Sequence, residues 1–299
     1  MPAEAVRARR FPRATGLTAP GRPLASLRFR DFRILLAGTM ALQVGSWVQT
    51  IGMGWLVLHD LNGSATALAL VALLRGASQL VLAPIAGHLA GRYERRAQLV
   101  GYTAVSGIVA VALTILISVD AIALWSVFIF ATVAGVADAM AGPIRMLLVY
   151  DAVGGEELSN AVALNGLGGN AMRVVGPAIG GTLIGLAGTQ GAFQMQAVCI
   201  VLALVLTWML RPSRPEQAEA ANIWRSIGAG AAYVWRDRPL LVVVLMAVLP
   251  SFFVYPYVTF LPVFARDVFG SNETGYGYLA AAVGVGSPPR RILSIAPRR

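Results

Sequence analysis

Three ionisable residues fall inside long apolar stretches of this 299-residue chain: Arg75, Asp138 and Arg173. A charged side chain at the centre of an oily helix costs about 2.5–3.5 kcal/mol on insertion scales, so each must face a partner or water. Arg75 and Asp138 have three uses open to them: a buried ion pair, a contact to bound substrate, or a proton relay. A charge satisfied by a neighbouring helix is the plain alternative for all three residues. Asp138 is the one carboxylate the apolar pattern places inside a span, which makes it the first choice for a proton carrier.

A polar stripe lies upstream. Thr39, Gln43, Ser46, Thr50 and Gly54 are spaced by four, three, four and four, which stacks them on one helix face. Trp47 and Gln49 flank it, and the opposite face is Leu, Ile, Val and Met. In lipid such a face turns to a cavity or to another helix, and small or hydroxyl residues suit either. Gln43 tips the reading to a cavity, because its amide needs partners. Gln43, Thr50, Arg75 and Arg173 are therefore the expected cavity lining. A similar face on a later segment holds Asn165, Gly169, Arg173, Gly176 and Gly180. There the run Gly176-Pro177-Ala178-Ile179-Gly180-Gly181 permits close backbone approach and removes one helical hydrogen bond at Pro177.

These residues need an oily scaffold, and the composition provides one. The chain is 57% hydrophobic and 13% charged, with mean hydropathy +0.69. A soluble domain carries about 25% charged residues, so the solvent here must be largely lipid. The 24 basic residues give a formal net charge of +10. They are all Arg, fall mostly in the N-terminal tail and alternate loops, and make no compact basic domain. Nucleic-acid binding is therefore excluded as a working reading. Cys199 is the only cysteine, and His59 and His88 stand apart, so neither a metal cluster nor a cofactor is expected. The loops lack paired carboxylates, a His cluster or a nucleophile with its base, and the expectation is that this is not an enzyme.

Spans of ~20 apolar residues are expected near 34–58, 66–89, 97–118, 122–143, 160–187, 191–210 and 240–263, with another starting near Tyr276. Loops at Arg92–Arg96, Arg145–Glu157 and Arg211–Arg238 carry Arg, whereas those at His59–Ala65, around Asp120 and at Gly188–Gly191 carry none. Arg accumulates on the side from which it need not be translocated. The chain thus crosses six times with both ends inside and a cytoplasmic N-terminus. Residues 1–33 form a basic cytoplasmic tail. The apolar segment after it is too long for a signal peptide and has no cleavage pattern. Residues 211–239 form an inner-surface linker in which Ile223, Ile227, Tyr233 and Val234 mix with arginines as an amphipathic helix.

The loop between the second and third spans reads Gly87-His88-Leu89-Ala90-Gly91-Arg92-Tyr93-Glu94-Arg95-Arg96. Its Gly-x-Leu-Ala-x-Arg-x-x-Arg-Arg pattern resembles the loop between helices two and three of major facilitator superfamily transporters. Gly91 stands where that family usually has Asp. The Gly176–Gly181 run resembles the fifth-helix motif of the family's drug and proton antiporters. Arg28–Arg33, Gly54–Leu58 and Leu261–Asp267 look like the branch containing the enterobactin exporter, over residues 27 to 284.

The resemblance implies an all-α membrane protein of the major facilitator fold. Residues 34–210 would be the N-terminal six-helix bundle, 211–239 the linker, and 240–286 the start of a second bundle. It also implies a loop gate of Gly87, Arg92, Arg95 and Arg96, and a bend at Gly176, Pro177, Gly180 and Gly181. The expected activity is proton-driven efflux of a drug- or siderophore-like small molecule by alternating access. The alternative is a non-transporting membrane fragment or scaffold. Partners would be lipid and a small-molecule substrate, and the oligomeric state is left open. The eighth apolar segment breaks at Ser287-Pro288-Pro289, and residues 287–299 form an aberrant basic tail, so the expectation is a truncation or frame change near Gly286.

Overall fold

The computed structural model describes residues 24–212, 228, 232–253, 256–270, 275–276, 278–280 and 282. A short 3-10 turn at Ala25–Arg28 leads into helix α1, Arg30–Trp55, which continues as a π turn, Leu56–Asp60. Helices α2, Ala65–Ala90, and α3, Arg95–Ser118, follow. At 1.5 Å per residue, the 26 residues of α1 extend about 39 Å, enough for a hydrocarbon core of ~30 Å. Ser64 caps α2 by accepting a 3.2 Å hydrogen bond from the Ala67 amide.

The stretch Leu124–Trp208 is helical except at two residues, Gly154 (φ 71°) and Gly188 (φ 67°). Left-handed φ favours glycine because a Cβ there meets the backbone. The two breaks divide the stretch into α4 (124–153), α5 (155–187) and α6 (189–208). Helix α7, Arg238–Phe253, and helix α8, Pro256–Val263, complete the described elements, with a π turn at Phe264–Val268.

Packing shows that α1–α6 alternate in direction. One buried cluster joins Phe32 at the start of α1, Ala90 at the end of α2, Leu99 in α3, Val149 and Val153 in α4, Ala161 in α5 and Leu210. A second joins the opposite ends: Met53 and Leu56, Leu68, Leu113, Val127 and Phe193. The first cluster sits at the arginine-rich end of the bundle and the second at the far end. A third brings α1, α5 and α6 against Ala265, Tyr276 and Ala280 through Val48, Ile51, Ile184 and Ala192. Outward faces are apolar: Leu80 is 80% exposed, Leu186 81% and Ile108 70%. Such a surface exceeds the small apolar patches water tolerates, and lipid is the solvent that suits it.

Several sequence expectations are corrected here. Helix α4 does not stop at 143 but runs to 153, and α5 begins at 155, so the expected loop Arg145–Glu157 is helical apart from the turn at Gly154. Pro143 lies inside α4, a position that membrane helices tolerate because neighbours satisfy the freed backbone groups. Gly87 belongs to α2 rather than to the loop, and Arg95 and Arg96 open α3, leaving only Arg92 of that arginine set in the connection. The seventh span is described as α7 and α8. Tyr233 lies in a helical turn at residues 232–236. Residues 1–23, Ile223, Ile227, Gly286 and residues 287–299 lie outside the described residues.

Helices in lipid gain nothing from excluding each other's apolar surface, so close steric fit holds them together. Helix α5 meets α1 through glycines. A Cβ on Gly176 would lie 2.5 Å from Trp47 Cβ, and one on Gly180 would lie 3.2 Å from both Val48 Cα and Ile51 Cβ. Overpacking such a contact costs about 1–3 kcal/mol. Gly176→Val should therefore lower the thermal unfolding midpoint in detergent by several degrees. Gly87→Ala, whose Cβ meets nothing within 4 Å, should leave the midpoint unchanged or slightly raised.

Candidate functional site

Two cavities sit at mid-height and share one wall: Gln43, Ser46, Gln49, Arg75 and Gln79. The outer cavity, about 580 Å³, is lined by the α1 stripe from Gln43 to Gly54, by Leu68 and Val71 of α2, and by Arg173 and Tyr276. The inner chamber, about 260 Å³, is lined by residues of α1, α2, α3, α4 and α6, and takes in Thr103, Asp138, Arg145 and Gln196. Of the four residues expected to line a cavity, Gln43 and Arg75 border both, while Thr50 and Arg173 border the outer one.

Arg75 holds the shared wall together. Its Nη2 donates a 2.6 Å hydrogen bond to Asp138 Oδ2 and its Nη1 a 3.1 Å bond to Gln49 Oε1. The pair is only partly shielded, with the Arg75 side chain 28% and the Asp138 side chain 41% exposed. One feature of sequence makes the approach possible. Gly135, one turn before Asp138, lets α4 press on α2: a Cβ there would lie 2.8 Å from the Arg75 carbonyl oxygen. Arg173 lies over the Trp47 ring, 5.9 Å from its centroid, the distance at which a guanidinium is attracted to the ring face. The stripe's Thr50 donates to the Ser46 carbonyl at 2.8 Å, while Thr39 Oγ1 is buried without a hydrogen-bond partner.

Sequence reading missed Arg145, Gln79, Gln196 and Tyr276 as lining residues. Arg145 was hidden by Gly142-Pro143, which reads as a helix end. The others stand singly in apolar runs, where nothing in residue spacing says which way a lone polar side chain faces.

At the arginine-rich end, the three loop arginines do different things. Arg95 donates to Asp151 Oδ1 of α4 at 2.6 Å and to the Ala90 carbonyl at 3.4 Å. Arg96 donates to the Trp208 carbonyl at 2.6 Å and lies over its ring. Arg92 is exposed. Asp151 thus supplies a carboxylate to this end although Gly91 does not. Arg28 pairs with Glu157 at 3.4 Å, and Ser26 donates to Asn160 Oδ1 at 2.8 Å, tying the segment before α1 to α5.

At the far end, Arg266 Nη1 donates to the Leu58 carbonyl at 2.9 Å, and Thr189 donates to Asp60. The Arg266 hydrogen bond holds the Asp267 carboxyl below its ordinary range and raises the guanidinium in turn. Pro262 and the Tyr276 hydroxyl crowd Gly54, where a Cβ would lie 2.9 Å and 3.1 Å from them. Gly54 and Tyr276 also border the outer cavity, so these contacts lie at its far end.

The sequence pattern of a family described as transmembrane secretion effector matches residues 21–291. The chain belongs to that family of major facilitator superfamily transporters. It is 25% identical over 259 residues to the staphyloferrin A transporter of Staphylococcus aureus (strain NCTC 8325 / PS 47), covering 85% of this chain and 64% of that protein. It is 24% identical over 227 residues to the uncharacterised MFS-type transporter YfiS of Bacillus subtilis (strain 168), covering 74% of this chain and 52% of that protein. Among solved structures, it resembles a bacterial homologue of the human lysosomal transporter Spinster, captured inward-facing and unoccupied. The TM-score is 0.65 at 15% identity, over 85% of this chain and 59% of the other. A D-xylose–proton symporter gives a TM-score of 0.56 at 15% identity, over 85% of this chain and 65% of the other. The fold is therefore the major facilitator fold, a multi-pass membrane architecture. This facilitator-family chain spans between about half and two thirds of the length of these proteins.

The Arg95–Asp151 pair has side chains only 10% and 26% exposed. Breaking such a pair costs more than the loss of a surface ion pair and less than that of a fully buried one, about 1–3 kcal/mol. Arg95→Ala and Asp151→Ala should each lower the unfolding midpoint, and the double substitution should cost much less than their sum. Arg92→Ala should leave stability unchanged. Equal effects at Arg92 and Arg95 would contradict this division of labour.

Proposed function

We propose that this chain is the substrate-handling part of an efflux transporter that works by alternating access and is driven by protons. The observation that carries the reading is the outer cavity at mid-height. It is lined by the polar face of α1 and by Arg75 of α2, which is paired with Asp138 of α4, in a chain of the secretion-effector family. A transporter of this superfamily binds substrate near the bilayer midplane and rocks two bundles about it. Residues 34–210 form the first bundle, 211–239 the linker and 240–286 the opening of the second.

Export is supported by the family's description and by the likeness of the Gly176–Gly181 run to antiporter motifs. Arg28–Arg33 and Leu261–Asp267 are similar to the enterobactin exporter branch, and one relative is a siderophore transporter, staphyloferrin A being its named substrate. A siderophore-like molecule is therefore the substrate class. The arginine-rich end faces the cytoplasm of the inner membrane, since Arg is retained on that side. On this orientation the contacts of Arg266, Pro262 and Tyr276 with α1 and its π turn lie at the outer face. Gln43, Thr50, Arg75 and Arg173 contact substrate. Asp138 carries the proton, Arg92, Arg95 and Arg96 form the inner gate, and Gly176–Gly181 is the joint between α5 and α1. Substrate and proton shift the equilibrium only through contacts that differ between the two states.

The test is flux in inside-out vesicles containing the purified chain, with staphyloferrin A as probe. An inside-acid pH gradient should drive its uptake. Asp138→Asn should abolish the dependence on the gradient while leaving downhill movement. Gradient-driven uptake by Asp138→Asn would remove the proton assignment, and no movement by the wild-type chain would remove the transport reading.

A further inference from the structure

The inner chamber lies inside the bundle, behind the wall formed by Arg75 and Gln49, and its charges do not balance. Its titratable lining residues are Arg75, Arg145 and Asp138: two guanidiniums against one carboxylate. Asp138 is already bonded to Arg75 at 2.6 Å. Among the described residues no carboxylate comes within 4.0 Å of Arg145, which feels Asp138 only as a more distant charge. A guanidinium left without a carboxylate among apolar helices is costly unless something neutralises it. Water fills space but does not supply charge.

The same chamber also has unmet polar capacity. Gln196 on α6 is 5% exposed and lines the chamber, yet its Oε1 has no hydrogen-bond partner. A buried amide oxygen is rarely left so, and as an acceptor it calls for a donor, such as a water accompanying the anion, rather than for the anion itself. Thr103, Ser106 and Gln79 add further groups able to donate. At about 260 Å³ the space is several times the ~30 Å³ share of one water. It admits a small anion with its remaining hydration, or the carboxylate end of a larger molecule.

We infer that the inner chamber binds an anionic group between Arg145 and Arg75, in competition with Asp138. The anion is a halide ion or a carboxylate, and the same guanidinium chemistry recognises both. This deepens the transport reading and rests on it only for how the anion arrives.

The experiment measures binding without flux. The purified full chain is unfolded by heat in detergent, and the exposure of Cys199, its sole and buried cysteine, is followed with a thiol-reactive dye. Sodium chloride and sodium citrate are titrated as probes, with trimethyl citrate as the uncharged control. At least one anion should raise the midpoint saturably, and the ester should not. Arg145→Gln should weaken the apparent affinity roughly tenfold or more, as loss of one charged partner does in a buried pair. Arg145→Lys should keep part of it. Gln196→Glu, which adds a negative charge without adding bulk, should abolish it.

The decisive sign is at Asp138. Asp138→Asn removes the competing carboxylate and should tighten binding severalfold, whereas a merely structural role would weaken it. Saturation by chloride alone marks a resident ion. Saturation by citrate, with chloride competing, marks the carboxylate of a cargo. No saturable shift, an equal shift with the ester, or weakening by Asp138→Asn would overturn the proposal. Anion binding by a chain that moves no probe in vesicles sinks the transport reading alone. Transport with no anion binding sinks this one alone.

Discussion

Lipid offers the backbone no hydrogen bonds and the charges no screening, and this single fact dictates most of the architecture. Every crossing must be helical, since only a helix satisfies its own amides in hydrocarbon. Turns are compressed to the ends: Gly154 and Gly188 each reverse the chain in one left-handed residue, so that α4, α5 and α6 follow with almost no loop. The same fact removes the usual force for packing. Helices that are apolar all round meet where sterics allow, and Gly135, Gly176 and Gly180 mark those places. Their positions are not incidental to the site. Gly135 brings α4 against α2 at Arg75, one turn from Asp138. Gly176 seats α5 on Trp47, whose ring also faces Arg173.

Charges then divide by depth. At the arginine-rich end, Arg28, Arg95 and Arg96 bond to carboxylates or carbonyls across helices, and they fix the ends of α1, α3, α4, α5 and α6 to one another. At mid-height there are fewer charges, and they border cavities. A charge at an end costs little, because water or headgroups reach it. A charge in the middle is costly and persists where a cavity or a partner offsets it. The two cavities and the Arg75–Asp138 pair are parts of one arrangement, not separate features.

Much of this was legible in the residues. Helical period stacked Gln43, Ser46, Thr50 and Gly54, and all four border the outer cavity. Arg75 and Asp138 stood out by being ionisable among apolar neighbours, and an ion pair was one of three open readings. The glycine face of α5 announced close approach, although not to which helix. What could not be read falls into two kinds. Helix ends in lipid do not obey the punctuation of soluble proteins, so Gly142-Pro143 looked terminal and concealed Arg145. Single polar residues such as Gln79 and Gln196 carry no spacing signal. Their meaning comes from what faces them across the bundle, and that is a property of packing, not of the local chain.

The position of Arg75 in the wall between the chambers has a consequence for coupling. Arg75 divides its bonds between Asp138 and Gln49, so whatever draws it inward loosens its hold on the outer cavity. An anion beside Arg145 competes with the ionised Asp138 for the same guanidiniums, and a proton on Asp138 relieves that competition. Anion and proton therefore favour each other's binding, as linkage requires of two events that both weaken one pair. A cargo that places its own carboxylate in the inner chamber travels with a proton, in the same direction. Efflux against an inward proton gradient needs the opposite: proton and cargo must exclude each other. On the proposed export reading the cargo therefore keeps its carboxylates out of the inner chamber, and the anion bound there is a resident ion.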